Sequence, residues 1–228
     1  MTKYFSLLTL LCISTLLTAQ TVNPAPDRAA DPVQAYPITN QIEGAALQAF
    51  AEDFDLQNVG FFHVYADPDV DPKKTYLLRG NPVSSTTKAL LPRKYQRIAE
   101  RMNAKVYGAG EIKGINESYY IVRMDGSSAD RIEMFAIRGD KVKHLKTLAY
   151  RECTTGRCAQ LDTYITDLDG DTNLDLIQMK RVRSRNGEKT WKPRAYVMNE
   201  RNGKWKKTKA LDLPLDSMKF FDERNDNK

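Results

Sequence analysis

Residues 167–175 carry the densest chemistry in the chain. They read Asp167-Leu168-Asp169-Gly170-Asp171-Thr172-Asn173-Leu174-Asp175, with carboxylates at positions 1, 3, 5 and 9. Four acids on so short a loop repel one another unless a cation neutralises them. Calcium accepts about six to eight oxygen ligands in flexible geometry, which suits such a loop. The expected side-chain ligands are Asp167, Asp169, Asp171 and Asp175. Asn173 would give its backbone carbonyl at position 7, and Gly170 would relieve the bend. The competing reading is a plain turn whose aspartates bond only to nearby backbone. The alternating spacing favours the cation. No acid–base partner is close in sequence, so the ion is expected to be structural.

Two positions separate this loop from an EF-hand. The glycine of that loop stands at position 6, which is Thr172 here, and its bidentate glutamate at position 12, which is Gln178 here. The flanks, Leu161 to Thr166 and Leu176 to Arg183, read as strands. The segment resembles the calcium-binding hairpins of FG-GAP and VCBS-type repeats, whose pattern is Asp-x-Asp/Asn-Gly-Asp-Gly-x-x-Asp-Leu. Asp167, Asp169, Gly170, Asp171, Asp175 and Leu176 match it, and Thr172 replaces its second glycine. The resemblance implies a calcium ion held between two antiparallel strands, as in integrin-like propellers and many secreted bacterial proteins. It covers one hairpin and occurs once, so it does not imply a whole propeller.

Other chemical signals are weaker. Cys153 and Cys158 flank Thr-Thr-Gly-Arg, a turn that would bring two strand-borne sulfurs together. In an exported chain they are expected to form a structural disulfide. Residues 180–209 hold twelve Lys or Arg against Glu188 and Glu200, with Trp191, Tyr196 and Trp205 among them. Such a segment could meet an acidic glycan or an anionic surface through Lys180, Arg181, Arg183, Lys204, Lys206 and Lys207. The alternative is the solvated face of two hairpins, with the rings turned inward. Asp67-Pro-Asp-Val-Asp71 alternates acids but lacks a glycine and reads as a solvated turn. Arg138-Gly139-Asp140 reads as turn chemistry rather than as an integrin ligand. His63 and His144, the only histidines, lack metal or triad spacing, and no nucleophile-elbow, zinc-protease or phosphate-loop motif occurs.

The elements that must position these residues are legible in outline. Residues 1–19 read as a secretory signal, with Lys3, an apolar run from Phe5 to Leu17, and a cut after Ala19. Cys12 lies inside the apolar run, where lipid modification is not expected. Residues 20–37, with Pro24, Pro26, Pro32 and Pro37, form an extended leader. Residues 38–104 are an α+β segment. It has a helix near Asn40 to Asp53, a strand at Gly60 to Ala66, and a second helix opened by Pro92. Tyr95, Ile98, Ala99 and Met102 share one face of that second helix, and Asn103 ends it. Residues 105–215 alternate with period two, in strands expected at 105–112, 118–124, 131–137, 141–150, 158–166, 175–183, 189–198 and 204–209. Asn186-Gly187 and Asn202-Gly203 are the strongest hairpin signals between them. Residues 216–228 are a polar tail.

The expected fold is mainly β (α+β overall): an antiparallel meander of about eight strands with two N-terminal helices. The meander could close as a barrel, a sandwich or part of a propeller. The expected function is an exported, secreted or periplasmic, non-catalytic module with a structural calcium ion, used for binding or architecture. The alternatives are a carboxylate-dependent secreted hydrolase and a polyanion-binding module. Nucleic acid is not an expected partner.

Overall fold

The structure is a computed structural model, and it describes residues 44–57, 60–66, 78–199, 203–208 and 218–220. The expected signal segment, the leader, the Asp67–Asp71 turn, Asn202 and most of the tail lie outside the described residues.

The meander expected from period-two alternation is present. β3 (Lys105–Lys113), β4 (Ser118–Asp125), β5 (Ala129–Arg138), β6 (Lys141–Thr154), β7 (Arg157–Thr166), β8 (Asp175–Ser184), β9 (Gly187–Asn199) and β10 (Lys204–Thr208) follow the expected strands to within a few residues. Each pairs antiparallel with the next, so spatial order repeats chain order. A two-residue strand, β2 (Asn81–Pro82), pairs with β3 at one edge, and β10 forms the other. Pro82 suits an edge, where its missing N–H interrupts no inner ladder. The strand expected at 60–66 is shorter, β1 (Phe62–Val64), and it pairs with β7.

This sheet is neither a flat meander nor a set of blades. β6 is its corner. Residues 129–138 of β5 pair along β6 through two register shifts, whereas β7 pairs only with residues 150–154 at the far end of β6. The carbonyls of Thr147 and Leu148 instead accept side-chain bonds from Gln178 and Thr163. Bulged strands that leave one sheet for another make such corners. The two halves fold together over one core, built from Phe62, Val64, Ile121, Met134, Ile165 and Leu176 among others. At the far side the Tyr119 hydroxyl reaches Met198 Sδ at 3.2 Å, and its ring lies 5.7 Å from that of Trp205.

Three helices are described rather than the expected two. α1 (Ala45–Glu52) and α3 (Arg93–Met102) match the expected pair, although α1 begins only after Gly44. The unexpected α2 (Ser85–Leu90) is capped by Ser84, whose hydroxyl accepts from Thr87 N at 3.1 Å. The Asp53 carboxylate ends α1 and binds Ser84 N at 2.9 Å and the Thr87 hydroxyl at 2.6 Å. The helices cover the outer face of β3, β4 and β5, where Phe50, Tyr95 and Ile98 pack on Tyr120, Val122 and Phe135. Gly108 permits this approach, because a Cβ there would lie 2.2 Å from the Asp53 carbonyl oxygen. Buried on both faces, β4 is the centre of the molecule. No described helix is long and apolar enough to cross a membrane.

Candidate metal centre

The loop from Asp167 to Leu174 joins β7 to β8, and Asp175 pairs with Thr166 at its base. Three carboxylates converge there. One oxygen from each of Asp167, Asp169 and Asp175 lies within 4.8 Å of the others. Asp167 and Asp169 are exposed, and Asp175 is fully buried. Among the described residues no cationic side chain pairs with any of the three.

Backbone donors hold each acid in place. Asp167 accepts from Gly170 N at 2.8 Å and Thr172 N at 2.9 Å, one oxygen each. Gly170 at φ 80° and Thr172 at φ 67° wind the loop tightly enough for both bonds. Asp175 accepts from Leu168 N at 2.9 Å and from Met198 N at 2.8 Å. The second bond ties the loop to β9. A further bond, from Trp205 Nε1 to the Leu174 carbonyl at 2.8 Å, ties it to β10. Burial pushes the Asp175 carboxyl up to about 6; the two N–H bonds oppose this, and the charges of Asp169 and Asp171 add to it. Asp169 is also raised, by lost solvent and then by Asp171 and Asp167. Lost solvent first, and then the neighbouring acids, disfavour the charged forms of these carboxyls.

Asp171 stands outside the three-acid cluster. The Asp171 carboxylate accepts from Asn173 N and Asn173 Nδ2, both at 2.8 Å. Asn173 is buried, and its side chain closes the turn. Asp171 remains beside Asp169, with a side-chain hydrogen bond between them. The structure thus brings together Asp167, Asp169 and Asp175 of the expected ligands. It also gives Asp167 and Asp171 local turn bonds of the kind that the competing reading expects.

The disulfide pair lies at the opposite end of β7. Cys153 and Cys158 face each other across the β6–β7 turn and are bonded, with Cα atoms 4.0 Å apart. Gly156 takes φ 81° at the tip.

Both histidines have buried carboxylate partners that sequence spacing did not reveal. His63 Nε2 lies 3.1 Å from Asp162, and its ring stacks on Tyr164 at 4.2 Å. Asp162 also accepts from Gln160, whose amide oxygen binds the buried Arg181. His144 Nε2 lies 2.9 Å from Glu133, which also accepts from Thr147 and Arg131. The partners are 99 and 11 positions away, so no local motif could signal them. Among the described residues no serine or cysteine is hydrogen-bonded to either imidazole. A groove of about 300 Å³ beside α3 is bordered by Arg101, Arg131 and Glu152, but this one carboxylate is bound by Arg131. A paired-carboxylate hydrolase would need two.

The basic segment divides between two faces. Arg181 is buried with its guanidinium over Phe220, and Arg183 pairs with Glu188. Lys204 and Lys206 pair in register with Asn199 and Val197, and Lys207 with Tyr196 on the opposite face. Arg138 holds Glu117, so the Arg-Gly-Asp stretch is a clamped turn. Comparison with known proteins returns no matching family model, curated protein or solved structure.

Proposed function

We propose that the β7–β8 loop holds one structural calcium ion, and that the chain is an exported, non-catalytic module for binding or architecture. One observation carries the metal reading: three carboxylates converge, one of them fully buried, and among the described residues no cationic side chain pairs with them. Oxygen-only donors suit a hard cation. Asp167, Asp169 and Asp175 would hold the ion, with Asp171 close enough to Asp169 to contribute. The ion would supply charge neutralisation at a loop already tied to β9 and β10. The likeness to an FG-GAP or VCBS hairpin belongs to the same proposal. It is supported by a strand–loop–strand setting and by Thr172 taking a positive φ where that pattern has glycine. The leading apolar segment supports export to the periplasm or beyond.

The test is thermal unfolding with calcium and with chelator. Free calcium at a hundred times its dissociation constant should stabilise the fold by about 2.7 kcal/mol. Asp169→Ala should abolish that shift, and Asp69→Ala should leave it intact. Trp205 fluorescence should change on calcium addition, because its indole N–H binds the loop. Identical melts in calcium and chelator would refute the metal site.

A further inference from the structure

Strand register sorts the basic residues in a way composition cannot. Residues that pair across neighbouring strands share a face. Leu176, Gln178, Lys180 and Val182 alternate along β8, and their partners on β9 are Tyr196, Arg194, Trp191 and Lys189. On β10, Lys207 pairs with Tyr196. Leu176 belongs to the main core and Tyr196 packs against it, so this is the face that the folded-over half of the sheet covers. Towards the Ser184–Gly187 turn the same face continues past the core. There it becomes a shelf carrying Lys180, Lys189, Trp191 and Arg194.

The shelf has three properties together. Its cations are unpaired: among the described residues no carboxylate bonds Lys146, Lys180, Lys189, Arg194 or Lys207. The nearest acid in sequence, Glu188, is held by Arg183 and Thr190. Its central ring lies outside the core: Trp191 is part-buried and belongs to none of the core clusters. Lys180 and Lys189 reach over that ring, with Nζ at 5.3 and 5.1 Å from its centroid, on side chains long enough to swing aside towards an anion. At the inner end Lys146 is half-buried over Tyr196 at 3.5 Å, and lost solvent lowers its affinity for a proton.

We propose that this shelf binds an anionic polysaccharide, with Trp191 stacking on a sugar ring and Lys180, Lys189 and Arg194 meeting its sulfates or carboxylates. The charge is complementary and unanswered within the described chain. A ring between two cations fits a chain in which one sugar face is flanked by acidic groups. Single-stranded nucleic acid calls for successive stacking rings, but Lys146 caps Tyr196 and leaves Trp191 alone. A lipid surface calls for exposed apolar anchors, and the exposed large apolar residues among those described, Leu56, Phe61 and Ile115, lie off β8 and β9. The proposal does not rest on the calcium reading.

The experiment is calorimetric titration of the full chain with heparin and with polygalacturonate, at low and at physiological salt. Oligothymidylate and phosphatidylglycerol vesicles run as parallel arms. Lys180→Ala/Lys189→Ala and Trp191→Ala should each weaken polysaccharide binding roughly tenfold. The equal-charge control Lys204→Ala/Lys206→Ala should change it less than threefold. Binding of heparin alone assigns a sulfated glycan, and binding of polygalacturonate alone a carboxylated one. Circular dichroism confirms that each variant is folded, and titrations in calcium and in chelator separate metal loss from shelf loss. No saturable binding of either polysaccharide at low salt overturns the proposal. So does an equal loss in the control, an unaffected Trp191→Ala, or tighter Trp191-dependent binding of the oligonucleotide or the vesicles.

Discussion

Asp130 stands almost fully buried and directly opposite Asp125 across the β4–β5 pair. Burial first, then the Asp125 charge, pushes its carboxyl up to about 6 against the pull of Gly126 N, Arg123 and Arg151. An aspartate raised this way supports the fold when protonated. Its contribution is complete below about pH 4 and is lost as pH rises through about 6. Asp130→Asn should therefore raise stability at pH 7.5 by on the order of 1 kcal/mol. Asparagine keeps an oxygen for Gly126 N, so little else changes. The gain should shrink towards zero below pH 5, and denaturant titration at several pH values reads it. A gain independent of pH would show that the carboxyl is not the cause. Asp175 follows the same sign in metal-free protein, and calcium should oppose it. The aspartates of the loop were legible because their spacing is local. The division of labour among them was not, since Asp171 turns to Asn173 only once the loop is wound. The Asp125–Asp130 repulsion and the two histidine–carboxylate pairs depend on strand register, which residue order alone does not fix.

Turns set the elements, and most announced themselves through glycine. Asn186-Gly187 illustrates how far that signal goes. Both residue types tolerate positive φ, yet only Gly187 takes it, at φ 113°. Thr172 is the reverse case, a β-branched residue held at φ 67° where glycine is easier. Among the described residues its hydroxyl makes no hydrogen bond that substitution would remove. Thr172→Gly should therefore stabilise the hairpin by about 1 kcal/mol, net of the extra chain freedom of glycine. Chemical denaturation measures this, and a loss of stability would show that the loop does not hold that conformation in solution. The helix α2 escaped sequence reading because six residues are too few for an apolar face to repeat. It forms through capping by Ser84 and the Asp53 clasp. The corner in β6 was equally hidden. A period-two strand looks the same whether it stays with one neighbour or changes partners halfway.

At the scale of the whole molecule, the antiparallel meander was readable and its closure was not. Alternation tells which residues share a face, but β4 is buried on both faces, so the helical cover and the folded-over half both had to be seen. The same fold sorts the basic segment, burying Arg181 and leaving Lys180 and Lys189 beside Trp191. The agreement between spatial order and chain order has a further consequence, for the sequence of events during assembly. Every strand from β2 to β10 meets its sheet neighbour through a nearby turn or connection, so the sheet can grow by successive local closures. β1 is the exception: its His63 meets Asp162 across 99 positions. It closes the longest loop with only three paired residues, and such contacts form late and open first. Native-state hydrogen exchange should find the amides of Phe62, His63 and Val64 released by a sub-global opening that leaves β4 and β5 protected. Exchange of β1 and β4 in one concerted unfolding would contradict that order. On this account the chain can be nearly native before its amino-terminal third is sewn in, and β1 is the last stitch.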